Sequence, residues 1–369
     1  MGVSMNHRLY GLQLAIIVTL CSFAVNAQIR SATHTQTRSN CEPSPPMQPN
    51  AKPGVGGLTL SRDGKTLLVA TGDGKIRFID LNTGEIKRTL TGHTNMVYIA
   101  TLSPDEKLLA SSSRDQTARI WDFKTGRELH KLTGFHCAVK AVVFSPDGKT
   151  VAVVGNDGML KLWDIGSGRE LKSLVHSNSP DVDASVYSVV FSRDGKKIYA
   201  GNGDGTISEW DASLGKETHV WKAHNDVAIS LAFSPDYRLL ASGGLNDANV
   251  KLWDPATSRE IRTFGEKKTA GLIEQSNAVA FSPNGRMIAF SVAGVHEKQM
   301  EYAYVRTYVW SVETGEKLFT LEGHKFDIGG LVFTPDNRYL ISGSADRTIR
   351  IYDLNTGKEV RTLTQPSTN

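Results

Sequence analysis

The sequence has little net charge and lacks the commonest catalytic signatures. Its formal charge at pH 7 is +4, which is too small to indicate a nucleic-acid partner. No G-x-S-x-G segment occurs, so the commonest signature of serine hydrolases is absent. The ten histidines do not have the spacing of a zinc site. We therefore expect no nucleic-acid partner, no catalytic residue, no metal and no cofactor.

The one long apolar run lies at the amino terminus. Arg8 precedes 17 residues without a charge, 9–25, and small residues follow at 25–27. Basic, apolar and small residues in this order are typical of a secretory signal peptide. We predict a signal peptide over 1–27 and an exported protein, secreted or periplasmic. The alternative is an uncleaved anchor in the membrane, because 17 residues are just long enough to span a bilayer.

Residues 28–53 lack any apolar period and are rich in proline, threonine and serine. Such a segment cannot bury enough apolar surface to offset the entropy lost on ordering, so we predict a disordered tether. Removal of the signal peptide would take away Cys21 and leave Cys41 and Cys137. An oxidising compartment would allow these two to pair, and the sequence leaves that pairing open.

The rest of the chain repeats itself. The stretch "RIWDFKTGRE" at 119–128 returns as "KLWDIGSGRE" at 161–170 and "KLWDPATSRE" at 251–260. Aligning on this phrase finds seven units, 42 to 57 residues apart. The aligned pairs are Ile79-Asp80, Trp121-Asp122, Trp163-Asp164, Trp210-Asp211, Trp253-Asp254, Trp310-Ser311 and Tyr352-Asp353.

Each unit reads as four short strands joined by turns. In the second unit, "VYIATLS", "LLASSS", "TARIWD" and "ELHKLT" are separated by the turn segments "PDEK", "RDQ" and "KTG". A four-stranded meander has two apolar faces and two bare edges, which seven units packed radially would cover. The predicted fold is all-β, a monomeric seven-bladed propeller over 54–363 with a tail at 364–369.

The repeated residues resemble the WD-repeat family over about residues 54–363. In that family a buried hydrogen-bond network joins a His, a Ser or Thr, the Asp of a tight turn, and a Trp. The resemblance implies a structural network here, since a buried carboxylate needs such donors. The residues at these positions are His93, Ser111, Asp115, Trp121, His136, Asp157, Trp163, Asp204, Trp210, His224, Ser242, Asp247, Trp253, His324, Ser342, Asp346 and Tyr352.

Several units depart from this pattern. Val153 and Ala200 stand where the third and fourth units should have Ser, and Tyr304 replaces the Asp of the sixth unit. Rings of this kind resemble propellers in which a strand from one terminus completes the blade of the other. Here all seven units have four strands of their own. Closure therefore needs either a strand from the tether or face packing alone.

One rim of the ring is the predicted binding surface. Three longer segments, 177–185, 265–276 and 293–304, fall on the rim where each first strand begins. The second residue of each first strand should face the channel there, which in the resembling family commonly lines a peptide-binding mouth. Tyr98, Lys140 and Tyr187 hold this position in consecutive units, with Arg114 in the adjacent turn. Rings and cations together are typical of binding hot spots.

The predicted function is a non-enzymatic scaffold that binds a partner protein or peptide at these four residues. The opposing interpretation is that they are solvated rim side chains without a role. The alternative function is an exported propeller enzyme, similar to lactonases or quinoproteins, with a metal or cofactor over the channel. Such an enzyme would need inward-facing carboxylates or histidines at matched positions of several blades, and the positions predicted to line the channel do not supply them.

Overall fold

The structure is a computed structural model, and it describes residues 54–176, 184–296, 299 and 301–365. The described part contains twenty-nine strands, and no helix in it has the length and apolarity needed to cross a membrane. The predicted signal peptide 1–27, the predicted tether 28–53 and the last four residues of the predicted tail lie outside it.

Seven antiparallel sheets follow one another along the chain. Blade 1 comprises β1 (Val55–Leu60), β2 (Thr66–Thr71), β3 (Ile76–Asp80) and β4 (Ile86–Leu90), and blade 2 comprises β5 (Val97–Leu102), β6 (Leu108–Ser113), β7 (Ala118–Asp122) and β8 (Glu128–Leu132). Blade 3 comprises β9 (Val139–Phe144), β10 (Thr150–Gly155), β11 (Met159–Asp164) and β12 (Glu170–Val175), and blade 4 comprises β13 (Val186–Phe191), β14 (Lys197–Asn202), β15 (Thr206–Asp211) and β16 (Lys216–Lys222). Blade 5 comprises β17 (Ala228–Phe233), β18 (Leu240–Gly244), β19 (Asn249–Asp254) and β20 (Arg259–Gly265). Blade 6 comprises β21 (Leu272–Gln275), β22 (Val279–Phe281), β23 (Met287–His296), β24 (Tyr302–Ser311) and β25 (Lys317–Leu321). Blade 7 comprises β26 (Ile328–Phe333), β27 (Tyr339–Ser344), β28 (Thr348–Asp353) and β29 (Lys358–Thr364).

The turn after each first strand is closed by hydrogen bonds between its own residues. In blade 1 the Ser61 hydroxyl donates to Asp63, and the same Asp63 oxygen accepts the backbone N–H of Lys65 at 3.0 Å. The other six blades repeat this pair of bonds with Ser or Thr, with Asp or Asn, and with a Lys or Arg. A short polar side chain that bonds its own backbone two residues on closes such turns.

The blades form a closed ring. The inner strands contact one another in the order β1, β5, β9, β13, β17, β22 and β26, and β26 returns to β1. The buried apolar residues fall into seven clusters, each shared by two neighbouring blades. Because the core lies between blades, no blade could bury its own faces alone. The predicted all-β, seven-bladed fold is confirmed.

Closure between blades 7 and 1 uses face packing in the described part of the chain. Val55 of β1 shares an apolar cluster with Ile341 and Ile349 of blade 7. On the outside, the Arg361 guanidinium donates to the backbone carbonyls of residues 81–83 at 2.7 to 2.9 Å. Among the residues that the structure describes, the two terminal sheets contain only their own strands, β1 to β4 and β26 to β29. β29 ends at Thr364, one residue beyond the predicted end of the propeller.

The sixth blade differs from the pattern expected of it. β23 and β24 are ten residues long, and their far ends form a hairpin that continues above the ring. β21 pairs with this extension, Leu272 opposite His296 and Gln275 opposite Ala293. The segments 265–276 and 293–304, predicted as long loops, therefore contain paired strands. They do lie on one rim. Of the third long segment, residues 177–183 are outside the described ranges.

Candidate functional site

The rim on which the first strands begin is held together by a repeated backbone bond. In six blades the turn after the second strand donates an N–H to the loop before the first strand, at 2.7 to 3.0 Å. In blade 2, for example, Arg114 N donates to Met96 O at 2.9 Å. The extension of blade 6 lies on the same side. We call this face the upper rim and the opposite face the lower rim.

A bulge redirects the side chain at the second position of the first strand. Val97 lies opposite Ser113 and Ile99 opposite Ser112, so Tyr98 is one extra residue without a partner in the ladder. The same irregularity occurs at Lys140 and Tyr187. It recurs in blades 1, 5 and 7. A bulge turns the extra side chain away from the sheet face, and no feature of the sequence had indicated it.

The bulges bring three predicted residues together in a sandwich. Lys140 Nζ lies 4.5 Å from the centre of the Tyr98 ring and 5.7 Å from that of Tyr187. The same nitrogen is 3.5 Å from the Tyr98 hydroxyl. Tyr98 is 8% exposed, whereas Lys140, Tyr187 and the nearby Arg114 are half-buried. We call Tyr98, Lys140 and Tyr187 the rim patch. It combines flat aromatic faces with a positive charge.

Blade 2 brings its four predicted network residues together. His93 Nδ1 is 2.8 Å from Asp115 Oδ2, and His93 Nε2 is 2.8 Å from Ser111 Oγ. Trp121 Nε1 donates to Ser111 Oγ at 2.9 Å. A neutral His93 completes the chain: the indole donates to the hydroxyl, the hydroxyl to Nε2, and Nδ1–H to the carboxylate. Every donor and acceptor along this path is then used.

The ionisation of the pair agrees with that assignment. Burial lowers the pKa of His93 below its ordinary value, an effect that the Asp115 carboxylate offsets only in part. Burial by itself raises the pKa of Asp115, but hydrogen bonds from His93, Thr117 and the Thr94 backbone lower it far more. The pair is therefore a neutral histidine beside an ionised aspartate at neutral pH.

Blades 5 and 7 repeat the histidine part of this chain. In blade 5, His224 lies 2.6 Å from Asp247 and 2.7 Å from Ser242, which also accepts from Trp253 at 2.8 Å. In blade 7 the corresponding distances from His324 are 2.9 Å to Asp346 and 2.7 Å to Ser342. Tyr352, expected to replace the tryptophan, donates its hydroxyl to the backbone carbonyl of Glu322 at 3.1 Å.

The prediction for blade 3 was wrong at His136, which is exposed. The position that corresponds to His93, two residues before the following cysteine or asparagine, is held by Phe135, which is 5% exposed and packs with Val153 and Trp163. Trp163 Nε1 has no hydrogen-bond partner among the described residues. In the described part of the chain Asp157 accepts only from backbone donors, His136 N at 2.8 Å and Met159 N at 3.2 Å. An apolar cluster thus replaces the polar chain.

Blade 4 uses a histidine that the sequence analysis passed over. His176 Nε2 lies 3.6 Å from Asp204 Oδ2, and His176 Nδ1 lies 2.8 Å from Glu217 Oε1. Burial by itself lowers the pKa of His176, but the two carboxylates raise it to about 9. The predicted Trp210 donates to Ser208, two residues before it, at 2.9 Å. The available signal was His176 itself, which lies shortly before the fourth unit, where no histidine of the network had been assigned.

Blades 1 and 6 stabilise their tight turns differently. In blade 1 the Arg77 guanidinium makes two bonds to Asp73, at 3.0 and 2.5 Å, in a buried pair. In blade 6 the Tyr304 hydroxyl donates to the buried Glu274 of β21. Within the described ranges no group of three or more His, Cys, Asp and Glu residues is arranged to hold a metal ion.

The repeat itself matches a known family model, described as "WD domain, G-beta repeat", at 84–122, 126–164, 169–211, 215–254 and 315–353. These matches cover just over half of the chain. The chain belongs to the WD40 family. The stretch 255–314, which contains most of the extended sixth blade, falls between the matches.

Curated WD40 relatives align with part of the chain. Protein tipD of Dictyostelium discoideum is 32% identical over 143 residues, 39% of this chain and 21% of tipD. Transducin beta-like protein 3 of Bos taurus is 30% identical over 148 residues, 40% of this chain and 17% of its own. The guanine nucleotide-binding protein subunit beta of Oryza sativa subsp. indica is 28% identical over 147 residues, with 36% of its length matched. The matched part is thus about a third of these relatives or less.

Proposed function

We propose that this WD40 protein is a non-enzymatic scaffold that binds an acidic or extended peptide segment of a partner protein on its upper rim. The observation that carries the proposal is the rim patch, in which Lys140 is sandwiched between the rings of Tyr98 and Tyr187. Bulges on three consecutive inner strands direct these side chains off their sheets. The position is held by rigid strands, so little side-chain entropy is lost on binding.

The chemistry of the patch selects the partner class. Lys140, with Arg114 in the neighbouring turn, attracts a carboxylate, and the two tyrosine rings accept the flat or apolar parts of an extended chain. Aromatic and basic residues of this kind contribute most of the energy in many interfaces. The paired extension of blade 6 lies on the same rim.

In this role the protein is exported from the cytoplasm and is a monomeric ring. The amino-terminal pattern of basic, apolar and small residues supports export. Cys137 is disulfide-bonded, and such bonds persist in oxidising compartments. Sequencing the amino terminus of the purified exported protein tests this: a start at Gln28 supports cleavage, and a start at Met1 contradicts it.

The binding site is tested by a triple variant, Tyr98→Ala/Lys140→Glu/Tyr187→Ala. The wild type is used to capture and identify partners from the exported fraction, and their affinities are then measured with purified components. Hot-spot residues cost more than about 1 kcal/mol each, so the variant should bind at least about tenfold more weakly. A lower-rim variant, Lys107→Glu/Tyr237→Ala, is the control and should bind normally. Unchanged affinity in the folded triple variant would show that the partner binds at another surface.

A further inference from the structure

The turn between the third and fourth strands of blade 4 has an apolar residue where the other blades have a hydroxyl. Three positions after the end of the third strand, the other six units have Thr83, Thr125, Ser167, Thr257, Thr314 and Thr356. The fourth unit has Leu214, which is 71% exposed, the largest value for any large apolar residue in the described ranges. Ser213 donates its hydroxyl to Asp211 at 2.7 Å instead. The side chain of Leu214 is therefore not needed to close the turn.

A cavity of about 200 Å³ lies beside this turn, between blades 3 and 4 on the lower rim. Its apolar lining consists of Leu162, Leu171, Phe191 and Ala212. Leu162 and Phe191 are buried, whereas Leu171 is 55% exposed. The turn packs on blade 3, since a β-carbon at Gly215 would lie 2.9 Å from Lys172 Cδ. Leu171, the cavity and Leu214 thus lie side by side, and we call them the blade 3–4 cleft. Grouped exposed apolar residues of this kind mark interaction surfaces, whereas single ones do not.

Two aspartates give the cleft negative charge. Asp147 and Asp194 line the cavity from the first turns of blades 3 and 4. Hydrogen bonds from the serine hydroxyl and a backbone N–H of each turn hold the pKa of both aspartates below the ordinary value, so both are ionised at neutral pH. In blades 2 and 5 the equivalent Asp105 and Asp236 form ion pairs with the basic residue two positions on, at 3.2 and 3.8 Å. Within the described residues Asp147 and Asp194 form no such pair.

The basic residues near the cleft do not neutralise it. Lys172 also lines the cavity, and its charge interacts with that of Asp211 in the neighbouring turn. Lys149 and Lys196 follow the two aspartates in sequence but are not part of the lining. The lining therefore holds two carboxylates and one ammonium group, and a positively charged group is the complementary one.

An arginine or lysine side chain has the chemistry that such a cleft selects. It combines an apolar stem with a cationic end. The stem would pack on Leu171 and Phe191, and the cation would reach the carboxylates of Asp147 and Asp194. A cavity of about 200 Å³ has room for one long side chain but is smaller than the roughly 300 Å³ at which small-molecule sites begin. Leu214 stands outside the cavity, where it would contact the residue next to the basic one.

From these observations we infer that the blade 3–4 cleft binds a basic residue followed by an apolar residue of a partner protein. It is a second docking site, on the face opposite the rim patch, and it shares no residue with that patch. A scaffold with both sites holds two segments at once, one on each face of the ring. This goes beyond the proposed function, which uses only the upper rim.

Titration with a defined peptide tests the cleft. The leucine methyl signals of the purified protein are followed by NMR while acetyl-Arg-Leu-amide is added, with acetyl-Glu-Leu-amide as the matched control. The signals of Leu171 and Leu214 should shift to saturation with the arginine peptide. The glutamate peptide should bind at least about tenfold more weakly, because its charge has the same sign as the lining aspartates. Leu318, 42% exposed at the position of blade 6 that corresponds to Leu171, should not shift.

Two variants separate the charged from the apolar contribution. Asp147→Asn/Asp194→Asn removes both charges and keeps the turns, because Asn284 makes the same two bonds in blade 6, at 2.7 and 3.0 Å. It should bind the arginine peptide about tenfold more weakly, since hydrogen bonds to charged groups are the stronger ones. Leu214→Thr introduces the residue found in the other turns and should weaken binding severalfold without affecting the fold. The triple variant of the rim patch should bind the peptide like the wild type.

Equal affinities for the two peptides, or unchanged affinity in the asparagine variant, would overturn the inference. The same holds if millimolar peptide gives no saturable shift, or if Leu318 shifts as much as Leu214. Signals of Leu171 and Leu214 that change with protein concentration before any peptide is added would show that a second copy of the chain occupies the cleft, which also contradicts it. None of these results concerns the rim patch, so failure here leaves the proposed function standing, and failure of the triple variant test leaves the cleft standing.

Discussion

Blades 2 and 3 are neighbours that fill the layer beneath their tight turn with opposite chemistry, polar in blade 2 and apolar in blade 3. Each has an aspartate in its tight turn that accepts the backbone N–H of a residue 21 positions earlier, Thr94 N at 3.1 Å and His136 N at 2.8 Å. In blade 2 the residue before that donor is His93, which accepts a hydrogen bond from Ser111, and Ser111 in turn accepts one from Trp121. In blade 3 it is Phe135, which packs against Val153. These two blades therefore share the aspartate of the turn, whereas the layer beneath it is polar in blade 2 and apolar in blade 3.

Blade 4 adds a third solution and shows what decides the charge. The side chains of His93 and His176 are equally inaccessible, 1% and 5% exposed. His93 has one carboxylate and one hydroxyl at its two nitrogens, and its pKa is lowered. His176 has a carboxylate near each nitrogen, and its pKa is raised to about 9. Both histidines are buried, and the second carboxylate near His176 stabilises its charged form.

The largest expected effect separates Phe135 from His136. Phe135→Ala leaves a cavity in the cluster shared by blades 2 and 3, so the free energy of unfolding should fall by about 3 kcal/mol or more. His136→Ala removes an exposed ring and should change it by less than about 0.5 kcal/mol. Urea unfolding of both variants measures the difference. Comparable losses would mean that His136, not Phe135, is the residue equivalent to His93.

A second pair of variants compares the two aspartates. Asp115→Ala leaves His93 Nδ1–H, Thr117 Oγ1–H and two backbone N–H groups without their acceptor, which should cost about 1–3 kcal/mol. Asp157→Ala removes only backbone contacts, and the expected loss is about 1 kcal/mol smaller. Urea midpoints at pH 7 provide the measurement. Equal shifts would show that the histidine chain adds nothing to the turn.

The smallest effect is a difference in pH dependence between blades 2 and 4. The pKa of His176 is raised from 6.5 to about 9, so the folded state holds the proton more tightly. Its contribution to stability is complete below pH 6.5 and is lost as the pH rises through 9. The pKa of His93 is lowered, so only the unfolded state takes up the proton, and stability falls as the pH drops below 6.5.

Unfolding free energies of wild type, His176→Gln and His93→Gln between pH 5 and about 10 test this comparison. The gap between wild type and His176→Gln should shrink by on the order of 1 kcal/mol above pH 9, since Glu217 is partly solvated. The gap for His93→Gln should change only on the acid side. Gaps that move in the same direction would contradict the assigned charges.

Features set by short stretches of chain were predictable. Each turn after a first strand closes with bonds between residues two to five positions apart, so the motif alone identifies it. The position of the rim residues followed from counting along each unit. The bulges that direct them did not, because nothing in the strand sequence marks the extra residue. The prediction for His136 was wrong because this histidine lies one residue after the buried position, which Phe135 occupies.

By itself the sequence determined the number of blades, their order and the position of nearly every turn, because each is written within one repeat of about forty residues. Contacts between distant residues were decided only by the tertiary structure. His176 meets Glu217 from 41 positions away, and Arg361 closes the ring on Leu81 from 280 positions away. In blade 6 the two long segments pair with each other, Leu272 opposite His296, where loops had been predicted. Such pairings depend on where the folded backbone places each group, which a local pattern of residues does not encode.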